Sequence, residues 1–463
     1  MPAVFQTGEI RGLVPILQTH RTRNAGVFMS ITSRACLPGT QAVILAGGRG
    51  ERLLPLTAGR PKPAIPFGGV FRIVDFTLSN CLNSNVGKVA VLTQYCHEEL
   101  HTYIRQRWSQ FWNTPGRDGQ ELRCLPPADG KRYRGTADAV FQNLPMILSN
   151  RAEYVLILSG DHVYEMDYRE LLAQHVETAA DVTIAAVEHP LKDAMHFGVV
   201  EVNADFRVMG FEEKPRNPSA LPLRPDMALV SMGVYVFNRD VLARSLMENC
   251  ESGFGYDFGH HVIPSLIDTA RVYAYDFRDE VKESPRYWRD IGTIDSYYQA
   301  SLDFVRPDTA ADHFRNGWHS RQELPDEIAT TVCGSAHVTH SVLSPGVRIE
   351  EGAYVEDSVL MPGVWVGRGA RLHRVIVEEG VRIPADFHAG WDIERDRGHY
   401  SVSPSGVVVI SETPRIAKQV MTGASPAFGY AKVSDTTRLE EAVSLFDGKK
   451  MRLVKRSVGR ASA

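Results

Sequence analysis

The chain predicts two folds in series. The first is an α/β domain with a mainly parallel sheet, over residues 41–305. The second is a parallel β-helix, over residues 336–414. Three observations support this. Strand-like apolar runs alternate with helical segments up to about residue 305. A 17-residue repeat sets in at residue 341. Between them, residues 306–335 lose clear periodicity and form a connection.

The α/β domain opens with the run Ala42-Val43-Ile44-Leu45, which feeds a glycine loop, Gly47-Gly48-Arg49-Gly50. A strand ending in a glycine turn offers backbone N–H groups to an anion, because glycine permits close approach and unusual dihedrals. Arg52 and Lys62 follow and add charge, and Pro61 and Pro63 restrict the chain around Lys62. The combination suits a polyphosphate. It is not a P-loop, since G-x-x-x-x-G-K-[ST] is absent. It is not a dinucleotide loop either, since G-x-G-x-x-G begun at Gly48 meets Leu53 at its third glycine. The plain alternative is a glycine-rich surface turn, but the preceding strand and the spaced cations weigh against it.

Further runs lie at 88–93, 154–159, 181–187, 197–202 and 232–237, with helical stretches such as 97–108 and 167–178. In open α/β sheets, ligands bind beyond the carboxyl ends of the strands. The glycine loop, Thr93-Gln94-Tyr95 and Gly160-Asp161-His162 each follow a strand, so they are expected on one edge.

In the repeat, residues 341–357 align on 358–374, and 375–386 begin a third copy. Gly346, Gly363 and Gly380 fall in step, as do Gly352 and Gly369, with Val347, Val364 and Val381 beside them. Three strands of about six residues per period make one β-helix coil. Each coil buries its apolar faces only by stacking on the next.

Residues 1–40 carry Arg11, Arg21, Arg23 and Arg34 against one acid, Glu9. This fits a mobile extension or a true start at Met29 better than a transit peptide. Residues 415–463 end in a basic run from Lys449 to Arg460, expected as a solvated tail. The 51 basic and 55 acidic residues give a net charge of -4 and no electrostatic case for nucleic acid or an acidic membrane. No apolar run is long enough to predict a membrane span. Cys36, Cys81, Cys96, Cys124, Cys250 and Cys333 show no C-x-x-C spacing, which suits a reducing, cytoplasmic compartment.

Beyond these patterns the chain carries longer motifs. The glycine loop with Pro61-Lys62-Pro63 resembles the sugar-1-phosphate nucleotidylyltransferases. Residues 71–84 (FRIVDFTLSNCLNS), 134–143 (RGTADAVFQN), 159–167 (SGDHVYEMD), 211–215 (FEEKP), 231–237 (SMGVYVF) and 287–293 (YWRDIGT) are similar to the glucose-1-phosphate adenylyltransferase family among them. The resemblance runs from about 41 to about 413. It implies a Rossmann-like nucleotidyltransferase domain and a left-handed parallel β-helix serving regulation and oligomerisation. It also implies transfer of the adenylyl group of ATP to α-D-glucose 1-phosphate, giving ADP-glucose and pyrophosphate for glycogen-type α-glucan synthesis. Mg²⁺, small-molecule effectors and a homotetramer belong to the same expectation.

Site residues carry over by motif. Arg52, Lys62 and Asp161 take the catalytic places, with Asp161 and Asp290 as the metal carboxylates. Leu45, Gly47, Gly48, Gly50, Gln94 and Gly135 take nucleotide-binding places. Tyr133, Gly198, Glu213, Lys214 and Ser231 take those for glucose 1-phosphate. From spacing alone, either aspartate could be a helix cap, and the Glu213-Lys214 pair a solvent-facing turn.

Two motifs point elsewhere. His97-Glu98-Glu99-Leu100-His101 matches the H-E-x-x-H zinc pattern but lacks its downstream histidine, and Asp257-Phe258-Gly259 spells a kinase triplet without a kinase catalytic loop. Both are set aside. The chain also departs from well-studied bacterial members of the family. Gly59 and Pro66 stand where an effector-binding lysine and histidine flank P-K-P, and Arg132 replaces a tryptophan, while Arg72 remains. Control unlike the fructose-bisphosphate/AMP pattern is therefore expected. The alternatives are another nucleotide or sugar, a non-catalytic regulatory subunit, and a β-helix acyltransferase. The intact Arg52, Lys62, Asp161, Lys214 and Asp290 oppose the second, and the three visible coils are too few for the third.

Overall fold

The computed structural model describes residues 39–112, 120–128, 131–149, 152–251, 253, 255–279, 281–305 and 330–411. The expected N-terminal extension up to residue 38, with Met29, lies outside them. So do the tail 415–463 and residues 306–329 of the expected connection.

Nine strands form the main sheet: β1 (Thr40–Ala46), β2 (Lys88–Thr93), β3 (Glu121–Leu125), β4 (Tyr154–Ser159), β5 (Val182–Pro190), β6 (Gly198–Val202), β7 (Val208–Glu213), β8 (Met227–Asn238) and β9 (Val272–Asp276). Their order is β7-β6-β8-β4-β1-β2-β3, and β5 joins β8 to β9. Only β7 and β8 run against the rest, so the sheet is mainly parallel as expected. The run at 232–237 lies in antiparallel β8. Strands β3, β7 and β9 escaped the search for apolar runs because they are edge strands. One side of an edge strand meets solvent, and in β3 and β7 polar residues interrupt the apolar pattern.

The central strands are apolar throughout because both sheet faces are covered. Ala42, Ile44, Leu156 and Leu158 point into one core. Val43, Val155 and Ile157 point into the other. This is the two-residue alternation of a strand. Helices α1 (Val74–Asn83), α2 (His97–Arg107) and α4 (Tyr168–Glu177) cover the first face. Helices α3 (Thr136–Gln142) and α5 (Arg239–Leu246) cover the second. Among the described residues no helix is long and apolar enough to cross a membrane.

The second fold is a three-sided parallel β-helix. On one side Val332, Ile349, Val366 and Ile383 lie in register, 17 residues apart. Four rungs line each side, one more than the three copies legible in the repeat. The extra rung begins at Thr331, so residues 330–335 belong to the β-helix and not to the connection. Its glycine, Gly334, is one residue out of step with Gly352 and Gly369, where Ser335 stands instead, and this hid the coil. Two corners of the coils turn mostly on left-handed glycines, Gly346, Gly363 and Gly380 at one and Gly352 and Gly369 at the other, where Asp386 takes over in the next coil. The third turns on His340, Asp357 and Arg374, also left-handed and also 17 apart.

The two folds share an apolar seam. Helix α6 (Ile294–Asp303), with Leu53, Leu56, Phe67 and Phe76, packs on Val342, Val359, Met361, Ile376 and Val409. Thr293 caps α6 through a reciprocal capping box with Ser296. Tyr298 donates to the Asp357 carbonyl across the seam, and Arg60 pairs with Glu379 at 3.0 Å.

Candidate active site

Parallel pairing brings the carboxyl ends of β1, β2 and β4 together. The loops that follow them meet there. Tyr95 N–H donates to the Gly47 carbonyl, and Gly160 N–H donates to the Leu45 carbonyl at 3.0 Å. The three segments expected on one edge are therefore on one edge. Gly48 has open space before it, and a Cβ at Gly47 would lie 3.3 Å from Gln94.

Asp161 reaches the same place on the turn after β4. Asp290 arrives by a different route. The short strand Trp288–Asp290 pairs antiparallel with His162–Tyr164, and Asp290 stands opposite His162. The two carboxylates then share one cation. Lys62 Nζ lies 2.9 Å from Asp161 and 2.8 Å from Asp290. Lys62 sits on a short turn started by Pro61 and is 6% exposed. Burial would lower its pKa, but the two carboxylates reverse this and raise it. Burial likewise pushes the Asp290 carboxyl up. Lys62 first, then His162 and Arg52, outweigh burial and hold it well below the usual carboxylate range. Arg52 stands exposed at the mouth. A Cβ on Gly292 would lie 2.8 Å from Asp290 Oδ2 and 3.2 Å from the Arg52 guanidinium.

The expected sugar-side residues form a second cluster. Glu213 pairs with Gly198 in the β6–β7 ladder, and its carboxylate fits between two glycines. A Cβ at Gly198 would meet Glu213 Oε2 at 2.8 Å, and one at Gly259 at 2.4 Å. Lys214 pairs with Glu213 at 2.7 Å, is 53% exposed and holds φ at 51°. A left-handed lysine is strained, and such strain concentrates at sites that use it. Ser231 opens a bulge in β8, where its hydroxyl accepts from Gly233 N–H at 3.2 Å.

Tyr133, expected for glucose 1-phosphate, lies beside Gln94 and two residues from Gly135, both expected for the nucleotide. Tyr133 N–H donates to Gln94 Oε1, which fixes that amide and leaves its NH₂ group to donate. The Tyr133 hydroxyl donates to the Leu125 carbonyl and accepts from Asn143, so it is a strut.

The Asp257-Phe258-Gly259 triplet is no kinase element, but it does belong to the site. Asp257 accepts from Gly259 N–H and His260 N–H, and from the Thr136 hydroxyl at 2.9 Å. The Tyr256 carbonyl accepts from Ala137 N–H and Asp138 N–H at the start of α3. A Cβ at Gly135 would lie 2.2 Å from that carbonyl. The triplet thus links the RGTADAV motif, through Thr136, to the FEEKP motif, through Glu213. His162 was also missed, although it lies between the carboxylates and β8. His97 and His101 pack with ring centroids 4.9 Å apart. His101 Nε2 is 2.6 Å from the Thr93 hydroxyl, and among the described residues no group of three metal-type donors converges.

Two family models match the chain. The nucleotidyl transferase model covers residues 41–306, and the GlmU-like C-terminal hexapeptide model covers 328–410, where the left-handed β-helix was expected. The chain is 41% identical over 393 residues to "Glucose-1-phosphate adenylyltransferase 2" of Alkalilimnicola ehrlichii, spanning 80% of this chain and 93% of that protein. It is 41% identical over 401 residues to the protein of the same name from Vibrio cholerae, spanning 81% and 98%. The glucose-1-phosphate adenylyltransferase of Methylococcus capsulatus is 41% identical over 397 residues, spanning 80% and 93%.

Proposed function

Because the chain belongs to the nucleotidyl transferase family, we propose that it transfers the adenylyl group of ATP to α-D-glucose 1-phosphate. The products are ADP-glucose and pyrophosphate. The observation that carries this is the convergence of Asp161 and Asp290 on Lys62 beside the glycine loop. That constellation suits attack by a sugar-phosphate oxygen on an α-phosphorus, a reaction that needs positioning and charge stabilisation more than covalent help.

The roles follow from position. Backbone N–H groups of Gly47, Gly48 and Gly50 cradle the triphosphate, and the Leu45 carbonyl anchors the Gly160-Asp161 turn beside them. Arg52 and Lys62 offset charge on the phosphate oxygens. The free NH₂ of Gln94 faces the base. Lys214 holds the sugar phosphate, and Glu213 accepts from sugar hydroxyls, with Gly198 and Gly259 making room for it. Asp161 and Asp290 would hold Mg²⁺ with the oxygens that Lys62 does not engage, since Lys62 takes Asp161 Oδ2 and Asp290 Oδ1 and leaves Asp161 Oδ1 and Asp290 Oδ2. Mg²⁺ takes one or two carboxylates plus substrate phosphates rather than a full protein cage. When bound, the ion would offset charge on the α-phosphate and the leaving pyrophosphate.

The proposal extends to glycogen-type α-glucan synthesis, a cytoplasmic setting, a homotetramer and control by small effectors. The five described cysteines are free, which suits a reducing compartment. The seam gives effector control a physical route, since α6 begins four residues after Asp290 and packs on the β-helix. Gly59, Pro66 and Arg132 favour effectors other than the fructose-bisphosphate/AMP pair, and a large activation by fructose 1,6-bisphosphate would count against this.

The test is pyrophosphate release with glucose 1-phosphate and Mg²⁺, run in parallel with ATP, UTP, dTTP and GTP. A strong preference for ATP is expected. Preference for another nucleotide reassigns the product, and silence with all four favours a regulatory subunit.

A further inference from the structure

Arg134 and Tyr256 have no part in the roles above, yet each stands next to residues that do. Arg134 lies between Tyr133, whose N–H holds the Gln94 amide, and Gly135. Tyr256 immediately precedes Asp257-Phe258-Gly259. The two side chains meet. The Arg134 guanidinium lies 3.7 Å from the centre of the Tyr256 ring, close enough for the ring face to attract it.

The edge of that guanidinium is held as well as its face. Arg134 Nε and Nη2 donate to Asp138 Oδ1 at 3.1 and 2.6 Å, and its backbone N–H donates to Asp138 Oδ2 at 2.8 Å. The Asp138 side chain is fully buried, so this anchor does not move freely. A planar fork can meet one carboxylate and lie flat on a ring together, which an ammonium cannot do.

Tyr256 is fixed through its backbone. Its carbonyl accepts from Ala137 N–H at 2.9 Å and Asp138 N–H at 3.2 Å, two of the groups that the start of α3 leaves without helical partners. The close approach of that carbonyl also explains why residue 135 is a glycine. The 133–135 turn and residue 256 therefore interlock by backbone and by side chain.

We propose that Arg134 and Tyr256 are positioning residues for the nucleotide. Stacked on each other, they hold the 133–135 turn, and through Tyr133 N–H the Gln94 amide, against the loop that carries Asp257. Neither side chain is assigned a contact with substrate. This rests on the ATP reading above.

The test is steady-state kinetics on the full chain with Tyr256→Phe, Tyr256→Leu, Arg134→Lys and the double variant Arg134→Lys/Tyr256→Leu. All keep the carbonyl of residue 256, and KM does not depend on how much of the enzyme is folded. Tyr256→Leu should raise KM for ATP by about two- to fivefold, the scale for an arginine over a partly exposed ring. It should leave kcat and KM for glucose 1-phosphate near those of the unsubstituted chain. Tyr256→Phe keeps the ring face and should restore KM for ATP. Arg134→Lys gives up the fork and should raise it, and the double variant should be no worse than Arg134→Lys alone, as for groups that act through each other. Unchanged KM for ATP in Tyr256→Leu, equal impairment in Tyr256→Phe, or additive losses in the double variant would each overturn the proposal. If the unsubstituted chain prefers another nucleotide and KM for that one shifts in the same pattern, the positioning role stands while the ATP reading falls.

Discussion

The sheet domain and the β-helix bury apolar surface in opposite ways. The β-helix does it by repetition, with Val332, Ile349, Val366 and Ile383 occupying equivalent places on successive coils. The sheet domain does it once, and each residue at the mouth of its sheet has a single place. Lys62 meets Asp290 across 228 positions of sequence, and Thr136 meets Asp257 across 121. Repetition spreads stability over many similar contacts, whereas the site depends on a few dissimilar ones. Damage should therefore show as lost stability in one fold and lost chemistry in the other.

The sharpest way to break that contrast is Asp161→Asn. Turnover should fall by at least about 100-fold, the scale for losing a group that acts on charge developed in the transition state. The unfolding midpoint and glucose 1-phosphate affinity should stay near those of the unsubstituted chain. Near-normal turnover would remove Asp161 from the metal site.

Lys214→Ala comes next. The lost phosphate contact should raise KM for glucose 1-phosphate by about tenfold, with a smaller change for ATP. The opposite ranking would exchange the two halves of the site.

In the β-helix, Val366→Ala should cost about 2 kcal/mol in denaturant unfolding through lost burial and a cavity, with kcat preserved. A loss of kcat without a loss of stability would mean that the coils act directly on the chemistry.

The smallest effect concerns Glu165, near the site but not of it. Burial raises its carboxyl to about 8, against partial relief from Arg286, and its Oε2 has no hydrogen-bond partner. The folded state then holds a proton that the unfolded state has lost, between the ordinary carboxylate range and about 8. Stability should fall as pH rises through that window. Glu165→Gln should thus raise the unfolding midpoint more at pH 8 than at pH 5, and equal shifts at both would exclude the ionisation.

The same contrast explains what could be seen in the sequence. The glycine loop, the central strands and the 17-residue period are local patterns of apolar and glycine residues, and they fold where expected. The expected site residues occupy two adjoining clusters, but their partners were not legible. Nothing near Lys62 announces that Asp161 and Asp290 will flank it, because strand pairing between Trp288–Asp290 and His162–Tyr164 decides that. Asp257-Phe258-Gly259 looked like a stray motif because its role depends on Thr136 and Glu213, which reach it only through the fold. The first coil hid for the converse reason. Its corner glycine, Gly334, falls one residue out of step with the period, and backbone register alone reveals it.

The last coil has a consequence for chain length. Ile376 pairs with Val359, 17 residues back, and with Val409, 33 residues ahead. The second step is one short of two periods. In between, the chain leaves the coil for the helix Ile393–Arg397 and the antiparallel strand Ser401–Val402, then returns in register. Length in this fold is thus counted in units of about 17. Inserting a whole coil asks less of the neighbouring coils than inserting one residue, since a single residue turns every later apolar side chain away from the axis. Such a segment can lengthen or shorten by duplication and deletion while the site beside it, where every position is distinct, keeps its length.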